Sequence, residues 1–424
     1  MTGNSVKMSG GEAIVDALVR NGIDTAFGIP GALHDAQNSI RVLHSRHEQG
    51  AAYMALGYAQ ATGRVGTVIV VPGPGLLNAS AAISTGYALN SQMLCVVGQI
   101  PSAMIGRGTG QLHELPDQLA IAQGLTKFAA RMDAPGDAPA TLAEAFRQLH
   151  TGRRRPVHVE MAMDILKAEG DVTPIDPPDS YDAAEPDPDR IAAAAKLLGE
   201  ARNPLIFAGG GAVDAGADLL LLAELLQAPV VMSRGALGAI DSRHPLALTP
   251  PHGHKLWKDA DVVLGIGTRL VPMVPGWGSD DGLKFVRLDI DAEEMGRSHT
   301  PDVAIHADAA LGLAALSAAV PGHNRRRADR TDDMIALKAD VQREFDKLDP
   351  QVPILNAIRR ALREDGIFVE ELTQPGYVAR MAFPVYRPRT YINPGYQGTL
   401  GYACPTAMGA KVGFTDPNQP MGRL

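Results

Sequence analysis

The amino-acid sequence predicts an α/β protein made of parallel-sheet units of the flavodoxin-like or Rossmann-like kind, two complete and one truncated. Three observations support this prediction. Strand-like and helix-like runs alternate along the chain, some strands are continuous runs of β-branched residues such as residues 67–71, and glycine-rich turns follow several strands. A run of β-branched residues without polar alternation is typical of a parallel strand that is covered on both faces. The alternation of such strands with helices favours helical crossover connections between parallel strands.

The first unit contains the clearest pattern. Helices are expected at residues 12–19 and 48–62, the second being rich in alanine and ending at Gly63. The expected strands are residues 25–29, 40–44, 67–71, 93–98 and 157–160.

A stretch rich in Pro and Asp separates this unit from a second one. There the expected strands are residues 204–208, 229–232, 261–265 and 284–289, with a leucine-rich helix at 215–227. A charged break precedes a third unit, which begins with a helix at 353–363 and a strand at 366–370. The predicted domains are therefore residues 1–172, 191–320 and 346–424, joined by linkers at 173–190 and 321–345.

Composition excludes several classes of protein. The net charge is −8, from 39 Lys plus Arg against 47 Asp plus Glu. The chain therefore lacks the surplus of basic residues that would indicate a nucleic-acid partner. The two cysteines, Cys95 and Cys404, are too few for a disulfide framework and are expected to be buried thiols. No apolar run approaches the ~20 residues of a membrane span, and the N-terminus lacks the pattern of a secretory signal. We therefore expect a cytoplasmic protein without a membrane partner.

The most informative motif is the sequence RHEQGAAY at residues 46–53, which follows a strand and opens a helix. Taken alone, Glu48 would be an ordinary carboxylate stabilised by the dipole at a helix start. Other turns occupy matching places: Gly28-Ile29-Pro30-Gly31 closes a strand, and residues 73–78, with the sequence GPGLLN, open a helix after another. Ligands bind beyond the carboxyl ends of strands in open α/β sheets.

Together these motifs resemble the pyrimidine-binding domain of thiamine-diphosphate-dependent enzymes, above all the acetolactate synthase large-subunit group with its lyase and decarboxylase relatives. In that family the glutamate of the RHEQ-type motif hydrogen-bonds a ring nitrogen of the cofactor's aminopyrimidine, and Glu48 occupies its position. The resemblance implies that Glu48 activates the cofactor, while the cofactor supplies the carbanion chemistry. It also implies that Gln111 faces cofactor and substrate.

Further site residues follow from the same resemblance. His113 and Glu114 are possible substrate residues, although a surface hydrogen-bonding loop explains them equally well. Asn78 is a candidate pocket residue that could instead cap a helix or stabilise a turn. The candidate cofactor-binding residues are Gly28, Pro30, Gly31, Pro74, Asn78, Gln397, Gly398, Thr399 and Leu400. Leu400 matches the apolar wedge that bends the bound cofactor in the family, where many relatives carry methionine.

The central unit resembles the family domain that binds FAD in acetolactate synthases and ADP or nothing in relatives. The candidate nucleotide-binding residues are Gly209, Gly210, Gly211, Arg269 and Asp289. A glycine run is common in plain turns, so an empty vestigial cleft is the competing interpretation.

The family's magnesium ligands lie in a Gly-Asp-Gly segment with a downstream Asn, and no such segment occurs in these 424 residues. Magnesium is expected by family, but we assign no metal ligand, and we expect the isolated chain to show no turnover of 2-oxo acids. A diphosphate without its metal lacks its main counter-charge.

The function predicted from the resemblance is a carboligase or decarboxylase acting on 2-oxo acids such as pyruvate, as in branched-chain amino acid biosynthesis. A homodimer or tetramer is implied by family. The alternative is a non-catalytic subunit or gene fragment that pairs with a full-length homologue. A nicotinamide-dependent oxidoreductase is disfavoured, because no G-x-G-x-x-G turn is followed by an acidic residue about 20 positions later.

Overall fold

The structure is a computed structural model that describes residues 5–29, 39–270, 276–278, 282–297 and 299–414. Pro30 and Gly31, both predicted site residues, lie outside the described residues. The described chain forms two compact units. The first contains residues 5–182 and 394–414, and the second contains residues 183–393. The domain boundaries expected from the sequence stay a prediction.

The first unit is organised around a six-stranded parallel sheet with the strand order β3-β2-β4-β5-β7-β6. A separate antiparallel pair joins β1 to β8. The strands are β1 (Val6–Ser9), β2 (Thr25–Gly28), β3 (Arg41–His44), β4 (Gly66–Val70), β5 (Met93–Gln99), β6 (Phe128–Met132), β7 (Val157–Ala162) and β8 (Glu169–Val172).

Helices connect these strands, and their ends follow local sequence signals. Ser9 and Glu12 form a capping box at the start of α1, and Gly63 adopts a left-handed conformation that ends α2. The helices are α1 (Gly10–Arg20), α2 (Glu48–Thr62), α3 (Pro74–Ala88), α4 (Gln118–Gln123), α5 (Ala138–His150) and α6 (Met163–Lys167).

The second unit repeats the architecture with a parallel sheet in the order β11-β10-β9-β12-β13-β14 and a separate parallel pair, β15 and β16. The strands are β9 (Pro204–Ala208), β10 (Val230–Met232), β11 (Ala247–Leu248), β12 (Val262–Ile266), β13 (Lys284–Asp289), β14 (Val303–His306), β15 (Phe368–Val369) and β16 (Tyr391–Ile392). The helices are α7 (Pro188–Glu200), α8 (Gly216–Leu226), α9 (Pro250–Trp257), α10 (Ala292–Met295), α11 (Ala309–Ala319), α12 (Thr331–Phe345), α13 (Gln351–Ala361) and α14 (Gln374–Ala382).

The predicted fold class is confirmed, because both large sheets are parallel and alternate with helices. The predicted helix at residues 48–62 is α2, and the predicted strand at 67–71 is β4 shifted by one residue. The sequence analysis missed β6 and β14. Both lie at the edges of their sheets and carry partly exposed residues, so neither shows the continuous apolar run of a central strand.

The last helix of the first unit, α15 (Ala403–Phe414), packs closely against α2. A Cβ atom added to Gly57 would overlap the carbonyl oxygen of Thr406, and one added to Gly409 would overlap that of Met54. Each glycine costs about 1 kcal/mol of helix propensity relative to alanine. The close approach of the two helix backbones explains why both positions lack a side chain.

Aromatic contacts complete this helix pair. The Tyr402 ring meets the Tyr53 ring edge to face at 5.4 Å, and the Tyr402 hydroxyl donates to Gln60 Oε1 at 2.8 Å.

Cys95 is buried in β5 as expected, and burial raises the pKa of its thiol to about 12. The expectation was wrong for Cys404, which is exposed because its position on α15 does not face α2.

We predict that Gly57→Ala lowers the free energy of unfolding by about 1–3 kcal/mol, since the added methyl group must displace the α15 backbone. Gly50→Ala in the same helix is the matched control, because a Cβ atom there has nothing within 4 Å. The control should be neutral or gain up to about 1 kcal/mol. Urea unfolding of both variants checks the prediction, and equal stabilities would contradict the packing.

Candidate active site

The candidate site lies at the carboxyl edge of the first unit's parallel sheet. Gly28 ends β2, Glu48 begins the helix that follows β3, and Gly73 lies in the turn that follows β4. Because these three strands are neighbours and run in the same direction, their following turns open to the same edge. The polypeptide therefore brings the glutamate and the two glycine turns to one side of the sheet.

Glu48 is the first residue of α2 and is half-buried. The preceding His47 accepts a hydrogen bond on Nδ1 from the backbone N–H of Gln49 at 3.2 Å, which caps the helix. The carboxylate of Glu48 accepts a hydrogen bond on Oε2 from Nδ2 of Asn78 at 3.0 Å. Asn78 lies in the first turns of α3, so the starts of two helices meet at this carboxylate.

The turn before α3 requires a glycine at residue 73. Gly73 has φ 59° and ψ −110°, and an added Cβ atom would overlap the carbonyl oxygen of His113. Its buried N–H donates to Oε1 of Gln118 at 2.8 Å. The turn is therefore held on one side by a loop backbone and on the other by a buried amide.

The loop that carries the predicted substrate residues is organised by Glu114. Its carboxylate accepts hydrogen bonds from four backbone N–H groups, with donor distances of 2.6–3.3 Å, contributed by Gly108, Thr109, Gly110 and Gln111. These bonds, foremost the one from Gln111, lower the pKa of Glu114. The carboxylate of Glu114 thus bonds to the backbone of its own loop. Gln111 and His113 are partly buried, and His113 has φ 71°.

The predicted segment at residues 397–400 joins the first unit through Thr399. The hydroxyl of Thr85, in α3, contacts that of Thr399 at 3.5 Å. Gln397 is exposed, Gly398 is half-buried with φ 63°, and the Leu400 side chain is 68% exposed. The structure therefore places Thr399 against the helix that also carries Asn78, with Leu400 protruding beside it.

In the second unit, the predicted nucleotide turn packs against another turn. Gly209 and Gly211 donate backbone hydrogen bonds to the carbonyl oxygens of Ile266 and Gly267, at 2.9 and 3.3 Å. A Cβ atom on Gly209 would overlap the carbonyl oxygen of Gly267. Two of the three glycine N–H groups are thus engaged by protein carbonyls, and close packing accounts for the missing side chains.

The charged residues predicted beside that turn also have protein partners. Arg269 lies 3.7 Å from the buried carboxylate of Glu294, and Asp289 accepts the backbone N–H of Asp291 at 3.0 Å. Gly210 completes the turn and is exposed.

Sequence reasoning missed a buried polar cluster behind the Gly73 turn, formed by Gln99, Gln118, His158 and Glu160. One signal was available. His158 and Glu160 alternate with two valines in a strand that is buried along its whole length. Polar residues in such a strand need internal partners.

The described residues contain no group of three or more His, Cys, Asp or Glu side chains that could hold a metal ion. Within the same part of the chain, every helix is too short or too polar to cross a membrane.

The chain matches three family models in sequence order. Residues 8–121 match the N-terminal TPP binding domain of thiamine pyrophosphate enzymes, residues 191–316 match the central domain, and residues 373–422 match the C-terminal TPP binding domain.

Curated relatives align along almost the whole chain. A probable 2-ketoarginine decarboxylase of Pseudomonas aeruginosa is 34% identical over 97% of this chain and 76% of the relative. The acetolactate synthase large subunit of Corynebacterium glutamicum is 33% identical over 97% of this chain and 69% of its own length. The acetolactate synthase isozyme 1 large subunit of Escherichia coli is 30% identical over 98% of this chain and 76% of its own length.

We predict that Glu114→Gln speeds amide hydrogen exchange across residues 108–111, because a neutral amide has only one oxygen for these N–H donors. The lowered pKa means that the wild-type loop keeps its protection at mildly acid pH and loses it only below the ordinary range of a glutamate. Glu144→Gln is the control, since Glu144 bonds Arg147 and Gln148 on α5 instead. Equal exchange in both variants would contradict the loop assignment.

Proposed function

Because the chain belongs to the thiamine-diphosphate-dependent enzymes of the acetolactate synthase type, we propose that it serves the decarboxylation of a 2-oxo acid such as pyruvate. The fragment left after decarboxylation would be joined to a second carbonyl compound. The observation that carries the proposal is the half-buried carboxylate of Glu48 at the start of α2, within hydrogen-bond distance of Asn78.

The residues at this edge fit the pyrimidine end of thiamine diphosphate. Glu48 presents a carboxyl group that can share a proton with a ring nitrogen, and the Asn78 amide donates to one of its oxygens. Gly28 and Gly73 present backbone without side chains, and Gln111 lies partly buried in the neighbouring loop. When bound, thiamine diphosphate supplies the carbanion chemistry, and the protein supplies orientation and proton control.

The relatives support a 2-oxo acid as the substrate class. One is named a probable 2-ketoarginine decarboxylase and others are named acetolactate synthases. 2-Ketoarginine and pyruvate share the carboxyl and adjacent carbonyl groups that this chemistry requires. The side chain of the acid is what would differ between the two activities.

Further cofactors and the assembly are proposals from the family. Magnesium would grip the cofactor diphosphate, with ligands that we do not assign in this chain. FAD binding by the second unit would need donors other than Gly209 and Gly211, whose N–H groups are engaged. A homodimer or tetramer is the family's form. The second candidate arrangement is a subunit that lends Glu48 to a full-length homologue.

We predict that Glu48→Gln lowers kcat/KM for carbon dioxide release by about 100-fold or more, since general acid–base groups contribute at least that factor. The assay supplies thiamine diphosphate, magnesium and FAD, and compares pyruvate with 2-ketoarginine. Glu169→Gln, an exposed position in β8, is the control and should retain wild-type turnover. Where the wild-type chain releases carbon dioxide, equal turnover in the Glu48→Gln and control variants would sink the proposal.

The assay has a second arrangement, which tests whether Glu48 can act in the site of a homologue. The chain is mixed with a full-length homologue in which the corresponding glutamate has been replaced by glutamine. If the wild-type chain restores turnover and its Glu48→Gln variant does not, the result supports the proposal that Glu48 acts in the active site of the homologue. If the wild-type chain shows turnover in neither arrangement, the proposed function fails.

A further inference from the structure

A charged carboxylate lies buried behind the candidate site. Glu160, in β7, has no solvent exposure. Three side-chain N–H groups surround it: Nε2 of Gln118 at 2.8 Å, Nε2 of His158 at 3.1 Å and Nε2 of Gln99 at 3.3 Å. Burial of an ionised carboxylate is strongly unfavourable unless hydrogen bonds replace its water shell. Here three donors from two strands and a helix provide that replacement.

The partners of His158 define which of its ring nitrogens bonds to Glu160. Its Nδ1 atom is buried and has no hydrogen-bond partner among the described residues, whereas Nε2 faces Glu160. A neutral imidazole with its proton on Nε2 donates to the carboxylate and leaves only a lone pair unpaired. Burial alone would raise the pKa of Glu160, but the bonds from His158 and Gln118 hold it below its ordinary value. Glu160 is therefore an ionised hydrogen-bond acceptor.

That charge determines how the Gln118 amide is oriented. Gln118 Nε2 faces two acceptors, Glu160 Oε2 at 2.8 Å and the carbonyl oxygen of Gly98 at 3.0 Å. Only the NH2 end of the amide can satisfy two acceptors. The oxygen end must then point the other way, where it accepts the N–H of Gly73 at 2.8 Å.

Gly73 transmits this orientation to the site. Its N–H is bound by Gln118, and its carbonyl accepts the first backbone bond of α3, from Leu77 at 3.0 Å. The residue after Leu77 is Asn78, whose amide reaches Glu48. A single buried side chain is thus connected through one glycine to the partner of the candidate catalytic carboxylate.

We propose that Gln118 is a positioning residue, held by the buried Glu160 carboxylate so that the Gly73 turn and the first turn of α3 aim Asn78 at Glu48. The proposal rests on the proposed function of Glu48. It adds to that function a pair, Gln118 and Glu160, that acts on the site without touching cofactor or substrate.

Gln118→Met tests the proposal in the full chain, because methionine keeps the volume and removes both hydrogen-bonding ends. The matched control is Gln92→Met. Gln92 is also buried and donates to the Leu149 carbonyl at 3.0 Å, but it lies at the start of β5, at the opposite edge of the sheet. Both variants should lose thermal stability, Gln118→Met the more because it also removes a donor from the buried carboxylate. Only Gln118→Met should speed amide exchange at Gly73, by about tenfold for a lost buried hydrogen bond.

A swap variant separates positioning from simple destabilisation. Gln118→Glu places two carboxylates together and should speed Gly73 exchange as well. Adding Glu160→Gln restores one donor and one acceptor between the two positions, so the double variant should recover part of the protection. In both single variants at position 118, the kcat for carbon dioxide release should fall while KM changes little. In the double variant, kcat should recover in part.

The outcomes distinguish this proposal from the one on which it rests. If Gly73 exchange in the Gln118 variants matches that of Gln92→Met, the positioning role is wrong, whatever Glu48→Gln does to turnover. If Gly73 exchange responds and the swap restores it, while Glu48→Gln leaves turnover intact, the turn is positioned as proposed and only the function of Glu48 fails.

Discussion

The parallel direction of the six strands in the first unit is the constraint on which the site depends. Because every strand of this sheet points the same way, the segments that follow the strands emerge at a single edge. Glu48 follows the outermost strand, Gly73 a central one, and Glu160 lies near the end of β7 on the other side. Residues more than 100 positions apart are thereby collected at one edge, and an antiparallel arrangement would divide them between two.

Glycine serves two different purposes in this chain, and the sequence does not distinguish them. Gly73 is needed for a positive φ and for the approach of a loop backbone. Gly57, Gly209 and Gly409 instead let backbone segments pack directly against one another. The run at residues 209–211 suggested phosphate binding, but two of its N–H groups already donate to carbonyl oxygens. Packing partners, which only the structure supplies, decide between these interpretations.

The sequence predicted those features that depend on local pattern or on a motif. The α/β class, the helix Glu48–Thr62 and the strand at 67–71 follow from periodicity and from the Gly63 stop signal. The edge strand β6 was missed because its half-buried surface removes the apolar run. At the site, the motif drew attention to Glu48. The bond from Asn78 and the cluster around Glu160 depend on strand order, which no local pattern encodes.

Three carboxylates near this edge differ in how much hydrogen-bonding capacity remains, and this difference bears on which of them can act on a ligand. A carboxylate has about four acceptor positions. Glu114 receives four backbone N–H groups, and the fully buried Glu160 receives three side-chain donors.

Within the described part of the chain, Glu48 receives a single side-chain hydrogen bond, from Asn78, and remains half-exposed. Within the described residues, the remaining lone pairs of Glu48 accept no further side-chain hydrogen bond from a loop or from the core. The other two carboxylates hold the polypeptide in place. Of these three described carboxylates, Glu48 alone combines a fixed position with an oxygen that is available to share a proton with a ring nitrogen.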